Sequence, residues 1–265
     1  MMAEALVLSA REGGVLTLTL NRPHARNALS EEMMSALQAD LDQVHHDDAV
    51  KVIIIAANGP AFCAGHDLKE MTPHWQDGDH GRDYFERLMH KCAHLMQTIV
   101  RLPKPVIAQI QGIATAAGCQ LVASCDLAIA TEGARFATPG VNIGLFCSTP
   151  MVALSRNVAR KQAMEMLLTG DMIPATRARE IGLINRVVPA EVLRVETLKL
   201  AHHIASKSTV SVAIGKEAYY RQLEMGLTEA YIFASEAMTR NLAEADAQEG
   251  INAFIEKRQP RWTPL

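Results

Sequence analysis

The stretch Lys104-Pro105-Val106-Ile107-Ala108-Gln109-Ile110-Gln111-Gly112-Ile113-Ala114-Thr115-Ala116-Ala117-Gly118-Cys119-Gln120-Leu121-Val122-Ala123-Ser124-Cys125-Asp126 decides how the rest of the chain is read. Pro105 and Gly112 bound an apolar run that fits a buried strand, and from Gly118 onward the residues change to helix formers. The turn between them carries almost no side chain. Small residues let a ligand approach the backbone closely, and N–H groups opening a helix face an anion with the positive end of the helix dipole behind them. The same composition also suits plain tight packing of two elements, so this turn alone leaves both readings open.

A second turn of the same kind follows an earlier strand. Residues 52–57 are uninterruptedly apolar, as in parallel strands buried on both faces, and Asn58-Gly59-Pro60-Ala61-Phe62-Cys63-Ala64-Gly65-His66-Asp67-Leu68-Lys69-Glu70-Met71 comes directly after. Two such turns in one domain argue for a shared purpose.

The remaining chain supplies the frame. Residues 5–9 and 15–20 are apolar runs separated by Arg11-Glu12-Gly13-Gly14, which predicts a hairpin ended by Asn21-Arg22-Pro23. Ser30 is placed to cap a helix with Glu31 and Glu32 in its first turn and Met33, Leu37, Leu41 and Val44 at helical spacing. Residues 71–81 read as a mobile polar loop, and 84–100 as a helix stopping before Pro103. Residues 127–130 and 135–137 read as strands, and 139–146 as irregular. Pro150 suits the first turn of a helix capped by Ser148 or Thr149. Beyond that the chain is almost wholly helical, broken at Thr169-Gly170-Asp171 and by the short run Arg186-Val187-Val188-Pro189, with 191–257 a helix-only tail. Strands alternating with helices imply an α/β layered core.

Composition narrows the function classes. A chain of 265 residues that is 49% hydrophobic can bury one large core, and a formal charge of -3 gives no reason to expect nucleic acid or an acidic membrane as partner. Met1-Met2-Ala3-Glu4-Ala5 has no basic leader pattern and no later segment is apolar enough to span a bilayer, so the expected location is the cytoplasm. The five cysteines (Cys63, Cys92, Cys119, Cys125, Cys147) lack disulfide-framework spacing and are expected to be reduced. His90 and His94 share a helical face but have no third ligand, so no metal site is expected.

Asn21-Arg22-Pro23 with Asn27-Ala28-Leu29, then Phe62-Cys63-Ala64-Gly65-His66-Asp67-Leu68-Lys69-Glu70, then Pro105-Val106-Ile107-Ala108 running through Gly118-Cys119-Gln120-Leu121 to Cys125-Asp126, resemble the enoyl-CoA hydratase (crotonase) superfamily. Leu168-Thr169-Gly170-Asp171, Ala178 with Gly182-Leu183, and Glu249-Gly250 with Phe254 and Glu256-Lys257-Arg258 match as well, so the resemblance spans nearly the whole chain. It implies an α/β fold, the crotonase (ClpP-like) spiral of ββα turns over residues 1–195. A C-terminal helical region, 196–265, would mediate a homotrimer or a hexamer built as a dimer of trimers, with apolar positions at Leu227, Tyr231, Phe233, Ala237 and Leu242.

The resemblance also gives the two turns a joint role. The backbone N–H groups of His66 and Ala117 would form an oxyanion hole for the thioester carbonyl of an acyl-CoA. Arg26 and Ala28 would lie near the CoA phosphates, with Ala64, His66, Asp67 and Leu68 around the adenine and pantetheine. Pro139, Asn142, Leu145 and Ser148 belong to the segment implied to line the substrate pocket, and Phe254 and Lys257 would complete the CoA site, from an adjacent subunit as in relatives. No cofactor is implied beyond the coenzyme A carried by the substrate.

This chain departs from the family's hydratases at both catalytic glutamates, where it has Gln120 and Gly140. A glutamine amide can hold a water but cannot take its proton near neutral pH, and glycine offers no side chain. Three classes stay open: a hydratase/isomerase-type enzyme (lyase or isomerase chemistry of fatty acyl-CoA metabolism), a non-catalytic acyl-CoA binder, and an RNA binder. The last uses a lysine-rich first helix in one branch of the family, whereas residues 30–48 carry six acidic residues and no lysine here.

Overall fold

The structure is a computed structural model describing residues 5–263. The leader reading of residues 1–4 therefore lies outside the described residues. The first apolar runs form an antiparallel pair, β1 (Val7–Glu12) and β2 (Val15–Leu20), with Gly13 at φ +58° in the turn. Helix α1 (Glu31–His45) starts as expected: the Ser30 hydroxyl accepts the Met33 N–H, and Met33, Leu37, Leu41 and Val44 are buried. Strand β3 (Val52–Ala57) follows.

Both small-residue turns contain a strand that the sequence reading missed. Residues 61–63 form β4 (Ala61–Cys63) after β3, and residues 113–115 form β6 (Ile113–Thr115) after β5 (Val106–Ile110). The polar segment read as a loop is helical in its first half, where α2 (Leu68–Met71) ends and a 3-10 turn follows at Thr72–Gln76, with His74 stacked on the ring of Tyr84; residues 77–81 are turns. Next come α3 (Arg82–Arg101), α4 (Ala117–Ser124), β7 (Leu127–Thr131) and β8 (Arg135–Ala137). Residues 139–143, expected to be irregular, form a 3-10 turn. Helix α5 (Ser148–Asn157) begins one residue earlier than a Ser148 cap requires; Cys147 holds the cap position and makes no side-chain cap bond. Then follow α6 (Arg160–Thr169), β9 (Ile173–Pro174), α7 (Ala175–Glu180), β10 (Arg186–Val188) and the tail helices α8 (Leu193–Ala205), α9 (Thr209–Gln222), α10 (Leu227–Leu242) and α11 (Ala245–Ile255).

The strands build two sheets that advance together. One has the order β1-β2-β3-β5-β7-β10 and is parallel except for β1; the other has the order β4-β6-β8-β9 and is parallel except for β9. Each passage β3-β4, β5-β6 and β7-β8 therefore lays one strand in each sheet, which generates the spiral of ββα turns. Alternation along the strands divides the core. Ile53, Ile55, Val106 and Ala108 face α1, α3 and α4, while Val52, Ile54 and Ile107 face Ala201 and its neighbours on α8. Helix α8 thus covers the second face of the larger sheet, and the expected boundary at 195/196 falls inside it.

A buried polar knot ties the tail to this core. Lys216 on α9 donates to the carbonyls of Ile99 (2.9 Å) and Lys104 (3.0 Å) and to Asp126 Oδ2 at 2.7 Å. Asp126 also accepts the Val106 N–H at 2.7 Å and the Tyr220 hydroxyl at 2.9 Å, so every charge in the knot is paired.

Candidate active site

Asn27 welds the first turn in place. It sits at φ +52°, a conformation asparagine tolerates, and is fully buried. Its side chain accepts the Arg22 N–H at 2.8 Å and donates to the carbonyls of Asn58 (2.9 Å) and Ala61 (2.8 Å). The Arg26 carbonyl accepts the Ala64 N–H, and Leu29 donates to Gly65 O at 2.7 Å. Backbone bonds thereby bring residues 26–29 alongside residues 64–66. Asp67 closes the turn: it pairs with Arg22 at 2.7 Å and caps α2 by accepting the Lys69 N–H. Burial alone would raise the Asp67 carboxyl, but the Arg22 bond and charge with the Lys69 amide outweigh it and hold the group below the ordinary carboxylate range.

The two turns are pressed against each other. Thr115 Oγ1 donates to Ala64 O at 3.1 Å, and Gly65, at φ +97°, leaves room for the facing turn: a Cβ there would stand 2.9 Å from Ala116 Cβ and 3.4 Å from Ala117 N. Gly118 makes the second close approach, since a Cβ on it would lie 2.1 Å from Cys63 O. The strain of the turn falls on Ala116 (φ 51°), which leaves Ala117 with helical geometry. The His66 and Ala117 N–H groups donate to no acceptor among the described residues. Two free amides on adjoining turns, one of them opening a helix, can hold an oxygen that carries negative charge.

The side chains around these amides are unreactive. Burial holds the His66 imidazole below the ordinary histidine range, so the ring is neutral at pH 7. Neither ring nitrogen has a hydrogen-bond partner among the described residues. Burial pushes the thiols of Cys63, Cys92 and Cys119 up to about 12, which overrides any help Cys119 receives from the helix terminus.

Gln120, one turn into α4, is buried, and among the described residues its side chain takes only a long 3.9 Å contact from Cys92 Sγ. It faces a cavity of about 680 Å³ between α3, α4, α5 and the end of α9. Gly140 stands outside the lining of this cavity, and its N–H donates to Cys147 Sγ at 3.3 Å. Its φ is not positive, so the backbone would accept another residue, but a Cβ would meet Cys147 Sγ and Leu145 O, each at 3.0 Å. The obstacle to a side chain at 140 is therefore steric rather than conformational. Of the other expected residues, Asn142 donates to Gly170 O at 3.4 Å, Leu145 is exposed, and Ser148 begins α5 beside Pro139-Gly140. Phe254 is 84% exposed at the end of α11, which packs on α9 and α10, so within one chain it stands apart from the turns. The sequence reading reached the start of α5 at Ser148 but missed Val152, Ala153 and Arg156 further along that helix and the α9 wall.

A spiral of ββα turns with two free amides on adjoining small-residue turns defines a class, and comparison agrees: the chain belongs to the enoyl-CoA hydratase/isomerase family, whose model matches residues 10–264. Among individual relatives it is 50% identical over 256 residues to the Homo sapiens protein named enoyl-CoA hydratase domain-containing protein 3, mitochondrial, covering 96% of this chain and 83% of that one. It is 35% identical over 254 residues to a Dictyostelium discoideum probable enoyl-CoA hydratase, mitochondrial, covering 95% and 88%. A crystal structure of an enoyl-CoA hydratase from Mycobacterium smegmatis superposes with a TM-score of 0.93 at 51% identity over 98% of this chain and 99% of the other.

Proposed function

We propose that the protein binds acyl-CoA thioesters and polarises the thioester carbonyl through the N–H groups of His66 and Ala117. The observation that carries this is the pair of free amides on two turns held together by Gly65, Thr115 and Gly118. An acyl thioester gathers charge on its carbonyl oxygen as it becomes an enolate, and a missing donor in such a hole costs about 10²- to 10³-fold in rate. On this reading Arg26 and Ala28 meet the CoA phosphates and Ala64, Asp67 and Leu68 flank the pantetheine and adenine. Residues 196–265 assemble a trimer or hexamer whose neighbours bring in Phe254 and Lys257.

The reaction follows from what stands beside the hole. Gln120 and Gly140 supply no general base, and each such group contributes about 10²- to 10⁴-fold. Hydration of crotonyl-CoA is therefore orders of magnitude slower than in a two-glutamate hydratase, and the same binding mode serves a non-catalytic acyl-CoA carrier if turnover is absent. Calorimetry with crotonyl-CoA, followed by product analysis, tests both layers. Binding with slow or no hydration supports the reading; no heat at millimolar ligand overturns it. Fast hydration that Gln120→Ala leaves untouched would move the catalytic groups elsewhere. The cytoplasm stays the proposed location, against the mitochondrial relatives, and cell fractionation decides it.

A further inference from the structure

After α11 the chain turns back along that helix. Lys257 stands at φ +54°, a left-handed conformation that glycine enters freely and lysine does not, and the Arg258 N–H donates to Ala253 O at 2.9 Å to close the helix end. Arg258 then donates from both Nη atoms to the Glu249 carboxylate, at 2.6 and 2.9 Å, and from Nε to Glu256 at 2.6 Å. The Arg261 N–H donates to the same Glu249 carboxylate at 2.7 Å, and the Thr263 N–H donates at 2.8 Å to Asp246, in the first turn of α11. Trp262 reaches a different helix: its indole N–H donates at 2.8 Å to Ser206 O at the end of α8, and its ring lies over Gly250, where a Cβ would stand 3.3 Å from two ring carbons. Residues 258–263 thus form a strap from the last turn of α11 to its first. The helix itself buries only Asp246 and Ala253, while its apolar side chains Ile251, Phe254 and Ile255 are exposed, so within one chain the strap supplies the hold that packing does not. A bidentate fork that also serves a backbone amide is the kind of exposed ion pair that does hold one geometry.

We propose that this strap fixes the direction in which Lys257 leaves the end of α11, and that Glu249 and Trp262 are positioning residues through which Lys257 meets the nucleotide end of a coenzyme A held by an adjacent subunit. The inference rests on the acyl-CoA and assembly readings above. Lysine is a point charge on a flexible stem, and one whose backbone is already held gives up less freedom on meeting a phosphate than one on a frayed helix end.

Calorimetry on the full chain with two thioesters tests this: crotonyl-CoA, and crotonyl-pantetheine, which keeps the acyl group and lacks the nucleotide. Lys257→Gly removes the cation and suits the left-handed backbone, and it should weaken crotonyl-CoA binding about tenfold, the worth of one hydrogen bond to a charged group. Glu249→Ala and Trp262→Ala should each weaken crotonyl-CoA several-fold and leave crotonyl-pantetheine unchanged. Glu249→Ala added to Lys257→Gly should cost nothing further, because its effect passes through Lys257. Strap variants that bind crotonyl-CoA at full affinity, that lose both thioesters equally, or whose losses add to that of Lys257→Gly would overturn the positioning role while leaving acyl-CoA binding intact. Full affinity in Lys257→Gly would overturn the contact that the strap is held to serve. Failure of both thioesters to bind the unmodified protein would overturn the proposal together with the acyl-CoA reading.

Discussion

Replacing Gly118 with alanine perturbs the joint between the two turns with a single methyl group. The new Cβ would stand 2.1 Å from Cys63 O and 2.7 Å from Cys63 C, against about 3.5–4.0 Å for an ordinary carbon contact, and both obstacles are backbone. Relief requires β4 and the start of α4 to separate by an ångström or more, because no rotamer change can move a carbonyl. Overpacking of this kind costs about 1–3 kcal/mol. At about 2–4 °C per kcal/mol for a chain of this size, the melting temperature should fall by several degrees, up to roughly 10 °C. The same displacement pulls the Ala117 amide away from that of His66, and a misplacement near 1 Å can cost about 10²-fold in a reaction step. Thermal melts with calorimetry of crotonyl-CoA binding read both effects. An alanine variant that melts and binds like the unmodified protein would refute the close approach and the joint it supports.

Three further outcomes follow from the same contacts. Lys216→Met leaves Asp126 buried with the Tyr220 hydroxyl and the Val106 amide but no positive charge, and should cost about 3–5 kcal/mol in denaturant unfolding; a loss under 1 kcal/mol would show the knot to be dispensable. The Asp67 carboxyl is depressed in the folded state, so the stability it contributes is present above its unfolded value of about 3.9 and is lost as pH falls through the lower folded value. Melts of Asp67→Asn and the unmodified protein should therefore converge in acid, and a gap that stays constant from pH 7 to pH 3 would contradict the Arg22 pairing. Gln120→Glu should raise crotonyl-CoA hydration by about 10²-fold or more, whereas adding Gly140→Glu should carry a stability cost of about 1–3 kcal/mol from its contacts with Cys147 and Leu145. Steady-state rates with parallel melts separate the two, and an unchanged rate for Gln120→Glu would show that the cavity-facing position is not where water is activated.

What could be read in the sequence was local. Ser30 with Glu31 and Glu32 announces α1, and the unbroken run at 52–57 announces a strand buried on both faces, because cap chemistry and burial are written in adjacent residues. The two turns were legible through their lack of side chains. Strands β4 and β6 were not, since three residues show no periodicity and their pairing depends on a partner some fifty residues away. The turns at 72–76 are polar yet helical because His74 packs on Tyr84, a contact with no local signature. Gly140 illustrates the same limit: the missing carboxylate is plain in the sequence, but the Cys147 thiol and Leu145 carbonyl that fill the space appear only in three dimensions. The α9 wall of the cavity depends on Lys216 reaching Asp126 across ninety residues, and the tail read by itself suggested assembly alone.

If two backbone amides hold the thioester oxygen, the vibration of that carbonyl reports it. Isotope-edited infrared difference spectra of crotonyl-CoA labelled at the carbonyl carbon, free and bound, isolate the band. The bound carbonyl stretch should shift to lower frequency than in water, reflecting two aligned N–H donors at His66 and Ala117, and the shift should shrink in Gly118→Ala. A bound band at the frequency of the free thioester would contradict it.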